Sequence, residues 1–375
     1  MILKNGTFDK LATEIIQKDY SIIIFGAGVI GTVTTPALLK EHHIESKVGF
    51  YVDNDENKWG KFISLSDREV NVFSADCLRS IDVKRSIILL TTSRFSESLH
   101  QLESFENLKN AVCYIIPMMC ISNFKPLEED GTRRDHLQAR IPKIIHYMWL
   151  GKRPLPDALQ YCINSWKKHC SDYEICCWDE SNYDINKNVY MKEAYKKGLY
   201  GFVPDYARLD ILYTYGGIYM DTDVELIRNL DDMLYQDGFC CVEKWQTINF
   251  GGGSGAVKGN KAIYEMIKSR ENLKFIDENG NFNKNTCGYY DTLALKEAGY
   301  ELNGKVQKVM DLNIYPYEYF HPYDYMSGKT DVTKHTYGIH HFNGGWLEPK
   351  MKQANKKATE EFEKVFALAN KNTVG

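Results

Sequence analysis

Apolar and polar positions along the chain alternate between strand-like and helix-like periods in two successive blocks, parted by one polar stretch. In the first block, residues 11–19 read as a short helix, and residues 20–25 (YSIIIF) as a buried strand rich in β-branched side chains. Further apolar runs at 47–52, 86–90 and 112–116 read as three more strands, and residues 32–39 begin a helix compromised by Pro36. Residues 122–140 (SNFKPLEEDGTRRDHLQAR) are polar and charged, which predicts a linker or a solvated connecting helix. The second block opens with an apolar strand at 141–150. An amphipathic helix follows at 155–169, with Leu159, Cys162, Ile163 and Trp166 on one face, then a strand at 173–178 and a short helix at 190–197. Strands interleaved with helices predict an α/β protein. The expected division is a domain at 1–121, a linker at 122–140 and a second domain at 141–375. The latter closes with a Lys/Glu-rich helix at 350–368 whose charges read as a solvated face, with a basic edge able to touch anionic lipid.

The stretch 203–230 (VPDYARLDILYTYGGIYMDTDVELIRNL) organises the second block. Pro204 can open a helix without losing an intrahelical bond, and Ala207, Ile211, Leu212 and Tyr215 recur at helical spacing. Gly216-Gly217 stops the helix. Ile218 and Met220 then alternate with Tyr219, Asp221 and Asp223, which predicts a strand ending in acid, with Asp221 and Asp223 on one side of the sheet. Open α/β sheets bind ligands at such strand ends. Two carboxylates that leave further positions to water and phosphate oxygens suit Mg2+ or Mn2+ on a diphosphate. Asp205 and Arg208, three apart on the helix, share a face and are odd choices for a helix packed on a sheet unless they serve a polar site.

The order Asp205-Tyr206-Ala207-Arg208, Gly216-Gly217-Ile218-Tyr219, Asp221-Thr222-Asp223 resembles glycosyltransferase family 32, over roughly residues 140–347. That family comprises retaining sugar transferases of the GT-A fold, including bacterial capsule enzymes. The resemblance implies that Asp205 and Arg208 orient the donor sugar, that Asp221 and Asp223 hold the cation, and that Trp149 is similar to the tryptophan that stacks on uracil. Near the C-terminus, His340-His341-Phe342-Asn343-Gly344-Gly345-Trp346 offers a histidine to complete the cation shell, either His340 or His341, with Trp346 packing over the donor. Relatives tend to carry serine where Gly345 stands. The implied reaction moves a hexose from a UDP-sugar to a saccharide acceptor, such as a lipid-linked capsule or O-antigen repeat unit.

Gly26-x-Gly28-x-x-Gly31 lies between a strand and a helix, and Asp53 ends the next strand where a ribose-binding acid would stand. The first domain therefore reads as Rossmann-like, and the fold class as a Rossmann-like domain followed by a GT-A domain. Gly26, Gly28, Gly31 and Asp53 are its candidate nucleotide-binding residues. The same glycines also suit a unit that keeps the tight turn without a ligand. A rival function follows from them: a nucleotide-sugar-sensing or NAD-dependent dehydrogenase-like protein with a degenerate second domain. Degeneration predicts loss of at least one of Asp205, Arg208, Asp221, Asp223, Trp149 and Trp346, and all six stand.

Composition changes this picture little. Among 375 residues, a net charge of −4 gives no electrostatic case for a nucleic-acid partner. No apolar run approaches the roughly 18–20 residues of a membrane span, and the N-terminal residues lack a signal-peptide core, so a cytoplasmic location is expected, with peripheral membrane contact at most. The ten cysteines fall in no C-x-x-C pair.

Overall fold

The computed structural model describes all residues except 130–137, 284, 346, 348 and 373–375. Residues 130–137 of the expected linker and Trp346 therefore lie outside the described residues. The chain divides into two compact units. The first comprises Met1–Lys125, Tyr325–Gly328 and Glu348–Gly375, and the second Pro126–Asp324 and Lys329–Leu347.

In the first unit, strands β1 (Ile2–Lys4), β2 (Ser21–Phe25), β3 (Val48–Val52), β4 (Phe62–Ser64), β5 (Glu69–Phe73), β6 (Ser86–Leu90) and β7 (Val112–Ile115) form one sheet in the order β1-β7-β6-β2-β3-β5-β4. All neighbours run parallel except β4 and β5. The four strands with continuous apolar runs were legible in the sequence. The other three were not, because β1 has three residues and β5 buries only Val70 and Val72 of five. The helix Phe8–Gln17 starts at Thr7, whose hydroxyl accepts the Lys10 N–H, and it buries Phe8, Leu11, Ala12 and Ile15. Pro36 does not break the next helix. It falls in the first turn of Thr35–Glu41, where its missing N–H costs nothing, and a widened π-helical turn, Ile30–Thr34, precedes it.

The C-terminal helix Pro349–Lys371 departs from expectation. It belongs to the first unit, not to the second domain, and is not a wholly solvated face. Ala354, Ala358, Phe362, Val365 and Ala369 are buried and recur every three or four residues, and the last four share a core with Leu99, Leu102 and Ile115.

In the second unit, strands β8 (Ile144–Met148), β9 (Glu174–Trp178), β10 (Gly217–Tyr219), β12 (Gly238–Val242), β14 (Ser254–Ala256), β15 (Gln307–Val309) and β16 (Leu312–Tyr315) run in the order β15-β16-β12-β14-β10-β8-β9. A short strand β13 (Ile248–Asn249) pairs with β12, and β11 (Val224–Leu226) pairs antiparallel with Gly338–His340 in a separate ribbon. β10, β8 and β9 are mutually parallel, so their C-terminal ends share one edge, and Trp149 and Asp221 both lie there. The core beneath contains Ile145, Trp166, Ile218, Met220, Phe239 and Phe320. Both sheets are mixed α/β assemblies with parallel strands.

Candidate active site

The helix Pro204–Tyr215 ends at Gly216, whose φ of 72° is open to glycine at little cost and whose N–H reaches the Leu212 carbonyl at 2.9 Å. The chain then reverses into β10, so residues at the start of the helix and residues just past the strand meet. Asp205 and Arg208 are both buried there. Arg208 Nη2 lies 3.3 Å from Asp205 Oδ1 and 3.3 Å from Asp221 Oδ1. Its Nε donates to the Pro204 carbonyl at 3.0 Å, and Nη1 to Cys287 Sγ at 3.5 Å. All three guanidinium nitrogens thus have protein partners. Arg208 joins two acids rather than extending a free fork toward solvent.

Asp221 and Asp223 converge, but by a different route from the expected pleat. β10 stops at Tyr219, and the two aspartates occupy a turn in which the Val224 N–H bonds the Asp221 carbonyl at 3.1 Å. Their third partner comes through register: Val224 faces His340 across the two-stranded ribbon, which sets the imidazole beside Asp223. His340 Nε2 lies 3.3 Å from Asp223 Oδ1, while the Asn343 N–H donates to Asp223 Oδ2 at 2.9 Å. Asp221, Asp223 and His340 each offer a ligand atom, all within 4.8 Å of one another. His341, the alternative of the pair, is turned away. Adjacent residues of an extended strand point oppositely, and its Nε2 engages Glu225 Oε2 at 3.0 Å. Of the two alternatives, His340 is the one that stands with Asp221 and Asp223 among the described residues.

Burial pushes the Asp205 carboxyl up to about 7, more than the Arg208 and Arg270 charges pull it down. Asp223 shows the opposite balance. Burial raises it, but the His340 charge and hydrogen bond, with the Asn343 N–H, outweigh burial and hold it at about 2. His340 is raised from its ordinary value: burial lowers it, and Asp223 more than compensates. Two carboxylates and one imidazole are a donor set suited to Mn2+ or Mg2+, the imidazole ligating in its neutral form. His340 Nδ1 is buried and has no hydrogen-bond partner among the described residues.

The glycine run after β13 is a packed floor rather than a lid. Residues 250–256 are all buried. A Cβ on Gly251 would lie 2.1 Å from Asp221 Oδ2 and 2.7 Å from Arg208 Nη1, one on Gly252 would lie 2.0 Å from His321 Nε2, and one on Gly253 2.4 Å from Phe320. The Gly251 carbonyl accepts the Asp221 N–H at 2.7 Å. Gly251 and Cys287 are site neighbours that the sequence reading missed. For Gly251 the signal was present as four glycines around one serine, at residues 251–255.

Trp149, half-buried, continues β8 and bonds the Trp178 carbonyl at 3.0 Å through its own N–H, while its indole Nε1 donates to the Arg153 carbonyl at 2.6 Å. No interaction joins it to the aspartate cluster among the described residues. In the first unit, Gly31 is compulsory, since its Cβ would lie 1.9 Å from the Gly26 carbonyl oxygen, whereas a Cβ on Gly28 would meet open space. Asp53 is occupied by its own surroundings. Its Oδ2 accepts the Ala27 N–H at 2.6 Å and Lys58 Nζ at 3.0 Å, and its Oδ1 accepts the Asp55 N–H at 2.8 Å. It ties down the glycine loop.

Residues 156–240, which include the helix and both aspartates, match the family described as "Glycosyltransferase sugar-binding region containing DXD motif". The chain carries a glycosyltransferase-type DXD region. It is 28% identical over 135 residues to an uncharacterized glycosyltransferase, L373, of Acanthamoeba polyphaga mimivirus, covering 34% of this chain and 54% of that one. It is 37% identical over 146 residues to inositol phosphoceramide mannosyltransferase 3 of Schizosaccharomyces pombe, covering 36% and 39% respectively. The chain thus spans about half or less of these relatives' length. Among solved structures, the PaToxG glycosyltransferase aligns over 44% of this chain and 72% of its own at 16% identity, with a TM-score of 0.34, too slight a likeness to carry an argument. Among the described residues, no helix is long and apolar enough to cross a membrane.

Proposed function

We propose that the protein is a metal-dependent, retaining glycosyltransferase that moves a hexose from a nucleotide sugar, with UDP as the favoured nucleotide, to a saccharide or lipid-linked oligosaccharide acceptor. The observation that carries this reading is the cluster of Asp221, Asp223 and His340, wired through Arg208 to the buried carboxyl of Asp205. In the proposed transfer the acceptor hydroxyl oxygen bonds to C1 of the sugar, and the bond from C1 to the phosphate oxygen breaks. Its electron pair stays on the phosphate, which takes the hydroxyl proton. Asp221, Asp223 and His340 would hold a divalent cation, which would supply positive charge to the diphosphate. Arg208 keeps Asp221 and Asp205 in fixed relation, and Asp205, at the edge of ionisation near neutral pH, accepts or shares a hydrogen bond with a sugar hydroxyl. Trp149, at the same strand edge, offers a ring for the base.

The donor sugar is tested by a panel. UDP-glucose, UDP-galactose, their N-acetyl derivatives and a nucleotide-linked mannose, the last prompted by the name of the S. pombe relative, are incubated with Mn2+ and scored for slow donor hydrolysis without acceptor. Release of nucleoside diphosphate from one of them, abolished by chelator, supports the reading. No release from any, with the chain folded, contradicts it.

For the first unit we propose a non-catalytic role. The tie from Asp53 to the Ala27 N–H uses a donor that a phosphate would need, which disfavours a dehydrogenase. The same tie counts against the diphosphate of a nucleotide-sugar at Gly26, Gly28 and Gly31, and Gly28→Ala is expected to leave transfer within a few fold.

A further inference from the structure

Beneath the acid cluster lies a side-chain pair with no part in the chemistry so far described. Asn249 ends β13 and is buried. Its Oδ1 accepts two backbone donors, the N–H of Gly251 at 2.8 Å and of Gly252 at 3.1 Å. Its Nδ2 donates to Glu243 Oε1 at 2.7 Å. The amide orientation is over-determined, because two N–H donors require the oxygen on one side and a carboxylate requires the nitrogen on the other. Glu243 also takes a hydrogen bond from the Trp245 side chain. The pair therefore fixes a three-residue turn whose first glycine touches everything that matters above it. Gly251 accepts the Asp221 N–H, and its Cα faces the Asp221 carboxylate and the Arg208 guanidinium without room for one more carbon.

We infer that Asn249, held by Glu243, is a positioning residue that sets Gly251 as the platform for Asp221 and Arg208, and so sets the cation affinity of the site. The inference rests on the proposed cation site. The glycines of the turn have no side chains with which to hold themselves, and the Ser254 hydroxyl, which donates to the Phe250 carbonyl at 2.8 Å, closes the turn without touching the Gly251 N–H. Partners that orient metal ligands typically change affinity by about 10–100-fold when removed, and Asn249 acts at one remove further through backbone, which places its effect near the lower end.

The test is a titration of the full-length chain with Mn2+ alone, reading free Mn2+ by electron paramagnetic resonance, with circular dichroism to monitor the fold. Four proteins are compared: wild type, Asn249→Asp, Glu243→Gln and the double variant. Asn249→Asp keeps the acceptor for Gly251 and Gly252 but sets two acids against each other. Glu243→Gln in the same chain restores a donor, with its amide nitrogen for Asp at 249 and its oxygen for Trp245. The expected result is about tenfold weaker Mn2+ binding in Asn249→Asp and recovery to within threefold of wild type in the double variant. A double variant no better than Asn249→Asp, or an Asn249→Asp protein that binds within threefold of wild type, overturns the inference. If Asn249→Asp does not fold alone, the folded double variant decides by the same threefold criterion. Wild type that binds no Mn2+ overturns the cation site itself, and with it this inference; wild type that binds while the variants are unaffected overturns the positioning role alone.

Discussion

Replacing Gly251 by alanine probes the close approach on which the site depends. The added Cβ would stand 2.1 Å from Asp221 Oδ2 and 2.7 Å from Arg208 Nη1. An ordinary non-bonded separation is about 3.5 Å, so the carboxylate must retreat by about 1.4 Å and the guanidinium by about 0.8 Å. Metal–ligand distances tolerate only about 0.2 Å. Asp221 therefore leaves the constellation it forms with Asp223 and His340, and the Arg208–Asp221 contact at 3.3 Å breaks with it. Loss of one ligand of three is expected to weaken Mn2+ at least a hundredfold, about 2.7 kcal/mol. Donor hydrolysis at fixed Mn2+ falls by a similar factor, while raised Mn2+ recovers part of it. The assay is a Mn2+ titration of hydrolysis, paired with thermal unfolding. A Gly251→Ala protein that keeps its melting temperature and stays within threefold of wild type in both Mn2+ affinity and rate would show that the turn does not press on Asp221.

Three further outcomes are expected. His340→Ala weakens Mn2+ binding tenfold or more, whereas His341→Ala, which breaks only the Glu225 contact, stays within threefold; calorimetric titration of both checks this. Asp291→Ala strands the buried Arg270 guanidinium that Asp291 pairs, and is expected to destabilise the second unit by about 3–5 kcal/mol in urea unfolding, with Asp291→Asn intermediate. Glu14 accepts from Lys4 at 2.7 Å, Lys18 at 2.9 Å and Tyr114 at 2.8 Å; burial raises its carboxyl but these three bonds lower it further. A lowered carboxyl stabilises the fold above its ordinary value of 4.5 and loses that contribution as pH falls through the folded value. Glu14→Gln should thus cost about 1 kcal/mol at pH 7 and progressively less below pH 4, read from urea midpoints across pH.

The parts of the site that were legible in the sequence are those where a polar residue contradicts its local pattern. Asp205 and Arg208 sit inside a helix whose neighbours are apolar, and Asp221 and Asp223 end an apolar run. What was not legible depends on tertiary register. Nothing local distinguishes His340 from His341; the pairing of Val224 with His340 does. The turn at Asp221–Asp223 looked like strand because alternation continues through it, although the ladder stops at Tyr219. Asn249 and Glu243 gave no signal, since their roles exist only once Gly251 is against Asp221. The fold shows the same division. Buried strands such as 20–25 and 86–90 declare themselves by composition, but the three-residue β1 does not. In the C-terminal helix, high Lys and Glu content masked a narrow stripe of alanines and phenylalanine that packs in the first unit. Small residues at helical spacing carry little hydropathy yet allow close packing.

The claim on which the account turns is that the carboxylates bind a cation needed for breaking the sugar–phosphate bond. Its most direct test is donor hydrolysis by wild type and Asp223→Ala, with the donor found in the panel, across a Mn2+ titration and after exhaustive chelation. The account predicts no turnover for chelated wild type, saturable recovery with Mn2+, and less than a hundredth of wild-type rate for a folded Asp223→Ala at every Mn2+ concentration. Chelated wild type that keeps its rate, or an Asp223→Ala protein above a tenth of wild type in Mn2+, would contradict it.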